Sequence, residues 1–158
     1  MFAITYLKII SVLISIVGAM MLMPLGVALA TGESAVISAF LVPMLASFVL
    51  VALIYIPFHK SSFKINTRQT YMIVAGCWIF MSLFGAIPLF VTGAYPSITD
   101  AVFESVSGFT TTGSTVCGHL EELPRSVNLW RCITHWIGGM GIVTLTVALL
   151  PLLGVGGF

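Results

Sequence analysis

Between two long apolar runs the chain carries Phe103-Glu104-Ser105-Val106-Ser107-Gly108-Phe109-Thr110-Thr111-Thr112-Gly113-Ser114-Thr115, a stretch dense in hydroxyls and small residues. Threonine hydroxyls and backbone carbonyls are neutral oxygen ligands, and a ring of them can replace the water shell that a cation sheds on entering a pore. Within the loop that follows Phe109, Gly113 can take positive φ without a Cβ clash, which lets consecutive carbonyls turn toward one axis. The candidate ion-binding set is therefore Thr110, Thr111, Thr112, Gly113 and Ser114. Upstream, Asp100 and Glu104 are candidates for a pore mouth, where acids raise the local cation concentration; first-turn acids that complement a helix dipole are the plainer reading of the same residues.

The elements that would position such oxygens are membrane helices. Hydrophobic residues make up 59% of the chain and charged ones 7%, with a mean hydropathy of +1.14, whereas soluble domains carry about 25% charged residues. A bilayer core of about 30 Å needs roughly 20 apolar residues in helix. Four runs free of Lys, Arg, Asp and Glu satisfy this: Ile9 to Ala30, Ala35 to Phe58, Tyr71 to Val91 and Cys132 to Phe158. Pro24, Pro43, Pro88 and Pro151 lie within them and are tolerated where neighbouring helices satisfy the freed carbonyls. Lys8 before an apolar run and Ala28-Leu29-Ala30 resemble a signal peptide, but the run exceeds the usual signal core and a second follows at once, so a helical hairpin turning at Thr31-Gly32-Glu33-Ser34 is expected. Lys60, Lys64 and Arg68 place the second loop, and with it the amino terminus, on the cytoplasmic side. Arg125 and Arg131 fall on the outer side against that bias, with Glu121 and Glu122 as their expected partners.

Tyr95-Pro96 supplies turn chemistry and Ser97 a helix N-cap, so Ile98 to Gly108 reads as a short helix. At roughly 16 Å it reaches about half-way through a bilayer core. A half-length helix followed by extended residues 110–115 and a return through Val116 to Pro124 describes a re-entrant loop, its negative dipole end aimed at the membrane centre.

Other constellations say less. Cys117, His119, Cys132 and His135 do not have the spacing of a zinc finger, and with Cys77 the thiols are odd in number, so free cysteines are expected. His135 reads as a packing and hydrogen-bonding residue behind the loop, and Trp130 and Trp136 as interfacial anchors. Gly138-Gly139-Met140-Gly141 permits close helix approach. No nucleophile has an evident base and orienting partner, so an enzyme is not indicated and no cofactor is called for. A net charge of +1 without a basic patch offers nothing to nucleic acid.

Ala101 to Gly113 followed by His135-Trp136-Ile137-Gly138-Gly139-Met140-Gly141-Ile142 resembles the first pore repeat of TrkH-type potassium transporters, in the Trk/Ktr/HKT superfamily. The resemblance covers the chain: residues 1–68 as an amino-terminal transmembrane helix pair with its cytoplasmic loop, and 69–158 as one helix (69–91), pore helix (98–108), filter (110–115) and second helix (127–158). It implies an all-α integral protein of the cell membrane that takes up potassium, with Thr111 and Thr112 among the ion's ligands and glycine at 113 favouring potassium over sodium. It further implies four such repeats on a complete chain, a homodimer of complete chains, surrounding lipid, and a cytoplasmic nucleotide-binding ring as regulatory partner. Only one filter-like segment is present, and Gly154 to Phe158 ends a span without a basic anchor, so the chain reads as an amino-terminal fragment. The competing expectations are a non-transporting membrane subunit or inert fragment, and a channel assembled from four copies of this chain.

Overall fold

The structure, a computed structural model, describes residues 2–58 and 66–149. Lys60 and Lys64 of the basic loop, Pro151 and the terminal stretch 154–158 lie outside the described residues. Among the described residues all regular structure is helical: α1 (Phe2–Met20), α2 (Leu22–Thr31), α3 (Ser34–Phe58), α4 (Thr67–Val91), α5 (Ile98–Phe109) and α6 (Arg125–Leu149), with a 3-10 turn at Leu120–Glu122. Three stretches are long and apolar enough to cross a membrane: Ala3–Thr31, Ser34–Phe58 and Arg68–Val91.

The first of these stretches is interrupted. Pro24 sits in the first turn of α2, where its missing N–H is harmless but its ring would collide with the carbonyl four residues earlier in a continuous helix. The chain answers with a tight turn at Met21, whose N–H bonds the Gly18 carbonyl at 3.1 Å. Gly32 then ends α2 in the left-handed region at φ 74°, and the turn into α3 falls at the expected residues. Pro43 and Pro57 are carried inside α3, and Pro88 inside α4, without ending either.

Helix α4 opens with a reciprocal cap that the residue pattern did not suggest: Asn66 accepts from the Gln69 amide at 2.9 Å while Gln69 accepts from the Asn66 amide at 3.1 Å. The short helix α5 starts as expected, with the Ser97 hydroxyl accepting from the Thr99 amide at 3.2 Å. It ends one residue beyond the expected Gly108.

Helices α1 and α3 pair as the hairpin, α4, α5 and α6 form a second group, and α1 against α4 and α2 against α6 join them. The main core runs through both groups and includes Met21, Phe40, Leu89, Phe109, Val127 and Trp130. Phe40 and Trp130, both fully buried, meet edge-on with ring centroids 6.3 Å apart. Two polar threads stitch α4 to its neighbours: Ser105 Oγ donates to the Ser82 carbonyl at 2.7 Å, and Trp130 Nε1 donates to the Gly85 carbonyl at 3.0 Å. Each satisfies a polar atom that burial would otherwise penalise. By contrast, Val42, Val49, Leu53 and Ile56 project outward from α3, a belt suited to lipid and costly in water.

The α5–α6 contact depends on the absence of a side chain at Gly138. A Cβ there would overlap the Phe109 carbonyl, so the end of α5 lies directly on the α6 backbone, as small residues permit in membrane bundles.

Candidate site at the end of the half-length helix

Helix α5 buries Glu104, Ser105, Ser107, Gly108 and Phe109, and the chain then emerges as the exposed segment Thr110–Val116. The transition is a Schellman turn. The Thr111 amide bonds the Gly108 carbonyl and the Thr112 amide bonds the Ser107 carbonyl, each at 2.9 Å, closing the orphan carbonyls at the helix end. This motif demands a left-handed residue, normally glycine, at the position that Thr111 occupies. Thr111 adopts it at φ 57°, the one non-glycine positive φ among the described residues. A β-branched residue there is an outlier, and the conformation costs about 1–2 kcal/mol. Gly113 is left-handed as well, at φ 76°.

The result is a short, folded-back loop whose oxygens are sorted. Thr110 Oγ1 turns inward to the Val106 carbonyl at 2.7 Å and lies 2.8 Å from Thr112 Oγ1. The Ser114 carbonyl accepts from Ser107 Oγ at 2.6 Å, so one of its lone pairs is spent on holding the loop to α5. Among the described residues nothing donates to the carbonyls of Thr110, Thr111, Thr112 or Gly113. All five expected ion-binding residues thus share one exposed loop, with four adjacent carbonyls free to act as ligands.

The two acids expected at a pore mouth separate. Asp100 lines an open cleft of about 540 Å³ together with His119 and Glu122. Glu104 is instead buried in the protein. Its side chain is 1% exposed, and it ties three parts of the chain together. One carboxylate oxygen accepts from Arg131 Nε at 2.7 Å and pairs with Arg131 Nη2 at 2.5 Å. The other accepts from Thr115 Oγ1 at 2.9 Å and from the Val116 amide at 3.3 Å. The physical reason is burial: a carboxylate removed from water requires donors and a countercharge, and α6 brings Arg131 to it.

The expected partners of Arg125 and Arg131 are corrected by the same geometry. Arg131 pairs with Glu104, and its Nη1 donates to Asn128 Oδ1 at 3.1 Å. Glu121 and Glu122 are highly exposed and lie 3.9 and 4.0 Å from His119 Nδ1. The Arg125 amide is bonded instead to Glu33. Proximity in sequence misled because both acids belong to the solvated 3-10 turn, where water satisfies them. His135 hydrogen-bonds through Nδ1 to the Arg131 carbonyl at 2.8 Å, behind the loop. Cys77, Cys117 and Cys132 are free thiols, and among the described residues no group of three or more His, Cys, Asp or Glu is arranged to hold a metal.

Sequence reasoning missed Ser107, Arg131 and Glu33 as site-building residues. A legible signal existed for Arg131 alone, as an arginine at the head of an apolar run, which calls for a buried partner.

Three stretches long and apolar enough to cross a membrane, and a short helix ending in an exposed loop, define an α-helical integral membrane protein. The family model for TrkH, described as a cation transport protein, matches residues 36–158. The chain belongs to the TrkH family. It is 50% identical over 107 residues to the Trk system potassium uptake protein TrkH of Halomonas elongata, covering 67% of this chain and 22% of that one. It is 35% identical over 151 residues to TrkI of the same organism, covering 96% and 30%. The crystal structure of the potassium transporter TrkH from Vibrio parahaemolyticus superposes with a TM-score of 0.89 at 33% identity, over 100% of this chain and 34% of that one. The chain thus spans between about a fifth and a third of the length of these relatives.

Because Arg131 is the countercharge for a buried acid, Arg131→Ala is expected to destabilise by about 3–5 kcal/mol, the cost of stranding a buried charge. Replacing Glu104 and Arg131 together by Gln and Met should cost markedly less. Thermal unfolding of the purified single and double variants checks this ordering; equal losses would count against the pair.

Proposed function

We propose that this chain forms one of four walls of a potassium-uptake pore, as the amino-terminal part of a longer membrane transporter. The observation that carries this reading is the row of unbonded carbonyls from Thr110 to Gly113, held at the end of a half-length helix by a strained left-handed Thr111. Neutral oxygens at the negative end of a helix dipole select for a monovalent cation, because they substitute for its hydration shell without trapping it. The names of the relatives support potassium as that cation.

In this reading α5 enters from outside without crossing, the loop 110–115 faces the pore axis, and α6 supplies the fourth span. The amino terminus lies in the cytoplasm, Asp100 and Glu122 line the outer approach, and Ser114 closes the filter segment. Three further repeats complete the ring of carbonyls. Homodimerisation of complete chains and a cytoplasmic nucleotide-binding ring belong to the same proposal, and rest on family resemblance.

Rubidium uptake in cells lacking potassium importers tests the proposal. The complete reading frame carrying this chain should restore uptake, and Gly113→Ser should lower potassium over sodium preference by about tenfold, as expected when a left-handed glycine is replaced and the carbonyl row tilts. Unchanged preference would remove Gly113 from the filter. Uptake by residues 1–158 alone would favour a pore built from four copies.

Thr111 gives a sharper test, because stability and function pull in opposite directions there. Thr111→Gly relieves a left-handed β-branched residue and should leave thermal stability equal or higher, by up to about 1 kcal/mol. Rubidium uptake should nevertheless fall, since the loop loses the rigidity and the hydroxyl that the strain secures. Wild-type uptake by this variant would mean that the strain has no role in transport.

A further inference from the structure

Helix α6 begins without a cap of its own. Pro124 precedes it, and proline has no side-chain acceptor to offer the first-turn amides of Arg125 and Ser126. Those amides are satisfied from far away in the chain. Glu33, in the turn between α2 and α3, accepts from the Arg125 amide at 2.9 Å, the Ser126 amide at 3.2 Å and Ser126 Oγ at 2.5 Å. A carboxylate at a helix N-terminus also complements the dipole.

The amino-terminal hairpin therefore grips α6 twice, through Glu33 at its first turn and through Phe40 against Trp130 one turn further in. The residue after Trp130 is Arg131, which holds Glu104 and through it Thr115 and Val116. From Arg125 to Arg131 is about 9 Å along the helix axis. A slide or rotation at the start of α6 is delivered to Arg131 with little attenuation, since a helix is stiff over that length.

We propose that Glu33 is a positioning residue for the filter segment: by tying the helix pair to the start of α6, it sets the height at which Arg131 meets Glu104. The assignment rests on the transport reading above and gives the amino-terminal hairpin a task in ion selection. Burial opposes ionisation of Glu33, but the hydrogen bonds from Ser126 and Arg125 outweigh it and hold the carboxyl below its ordinary value of 4.5, so the tie is fully charged at neutral pH.

The test uses the complete reading frame with Glu33→Ala, Glu33→Gln, Glu33→Asp and the double variant Glu33→Ala/Pro124→Asp, measuring membrane abundance, rubidium KM and maximal rate, and sodium competition. Alanine should lower potassium over sodium preference by about fivefold or more and raise KM at near wild-type abundance, the size expected for coupling between distant sites. Glutamine keeps an acceptor oxygen and should retain most of the preference. Aspartate at 124 caps the helix locally without tying it to the hairpin, and so should not restore what alanine loses. Wild-type selectivity and KM in the alanine variant, or full restoration by Pro124→Asp, would overturn the assignment. If alanine abolishes membrane abundance, Glu33→Asp decides: its shorter reach should produce a partial form of the same change, and wild-type values would reject the proposal. Absence of uptake by the wild-type protein would instead sink the transport reading, and this assignment with it.

Discussion

A carboxylate enclosed by membrane helices must find donors and a countercharge within the protein, and the way Glu104 finds them organises everything around it. Arg131 approaches from α6, while the Thr115 hydroxyl and the Val116 amide approach from the returning chain. Three segments that are distant in sequence are thereby locked at one point, immediately behind the exposed loop. The loop in turn is sewn to α5 by the Schellman turn at its start and by Ser107 to the Ser114 carbonyl at its end. Between those two fastenings lie the carbonyls of Thr110 to Gly113, left without donors of their own.

This arrangement explains which small residues the bundle needs. Gly138 lets the last carbonyl of α5 rest on α6, which sets the half-length helix at a depth where Arg131 and Glu104 can meet. It also accounts for the strain at Thr111: a helix end held this rigidly can impose a left-handed conformation that a β-branched residue would otherwise refuse. Strain of this kind persists only where the surroundings over-determine it. Here the fastening points on either side of the loop supply that determination.

Much of this was legible before any coordinates. Hydropathy located the helices because lipid demands long uncharged runs, and Ser97 marked the start of α5 because an N-cap has a local chemical signature. The break at Met21 was less legible, since Pro24 can either bend or interrupt a helix depending on what packs beside it. The long-range ties were not legible at all. Glu33 reaches residues more than ninety positions away, and Arg131 had two acids nearer in sequence than its true partner. Local spacing carries no record of which helix faces which, so the identity of a buried ion pair emerges only from packing. The loop residues are the converse case: family resemblance singled out Thr110 to Ser114, while the left-handed conformations of Thr111 and Gly113 within that stretch became visible only in the backbone.

The claim that joins these observations is that the four unbonded carbonyls are cation ligands. It is tested most directly by locating ions: a structure of the complete protein in thallium or rubidium, with the ions identified by their anomalous signal. The account predicts ion density directly in front of the Thr110, Thr111, Thr112 and Gly113 carbonyls, on the axis shared with the equivalent segments of the other repeats. Ions lying along a different path, with this loop facing lipid or buried against protein, would contradict it.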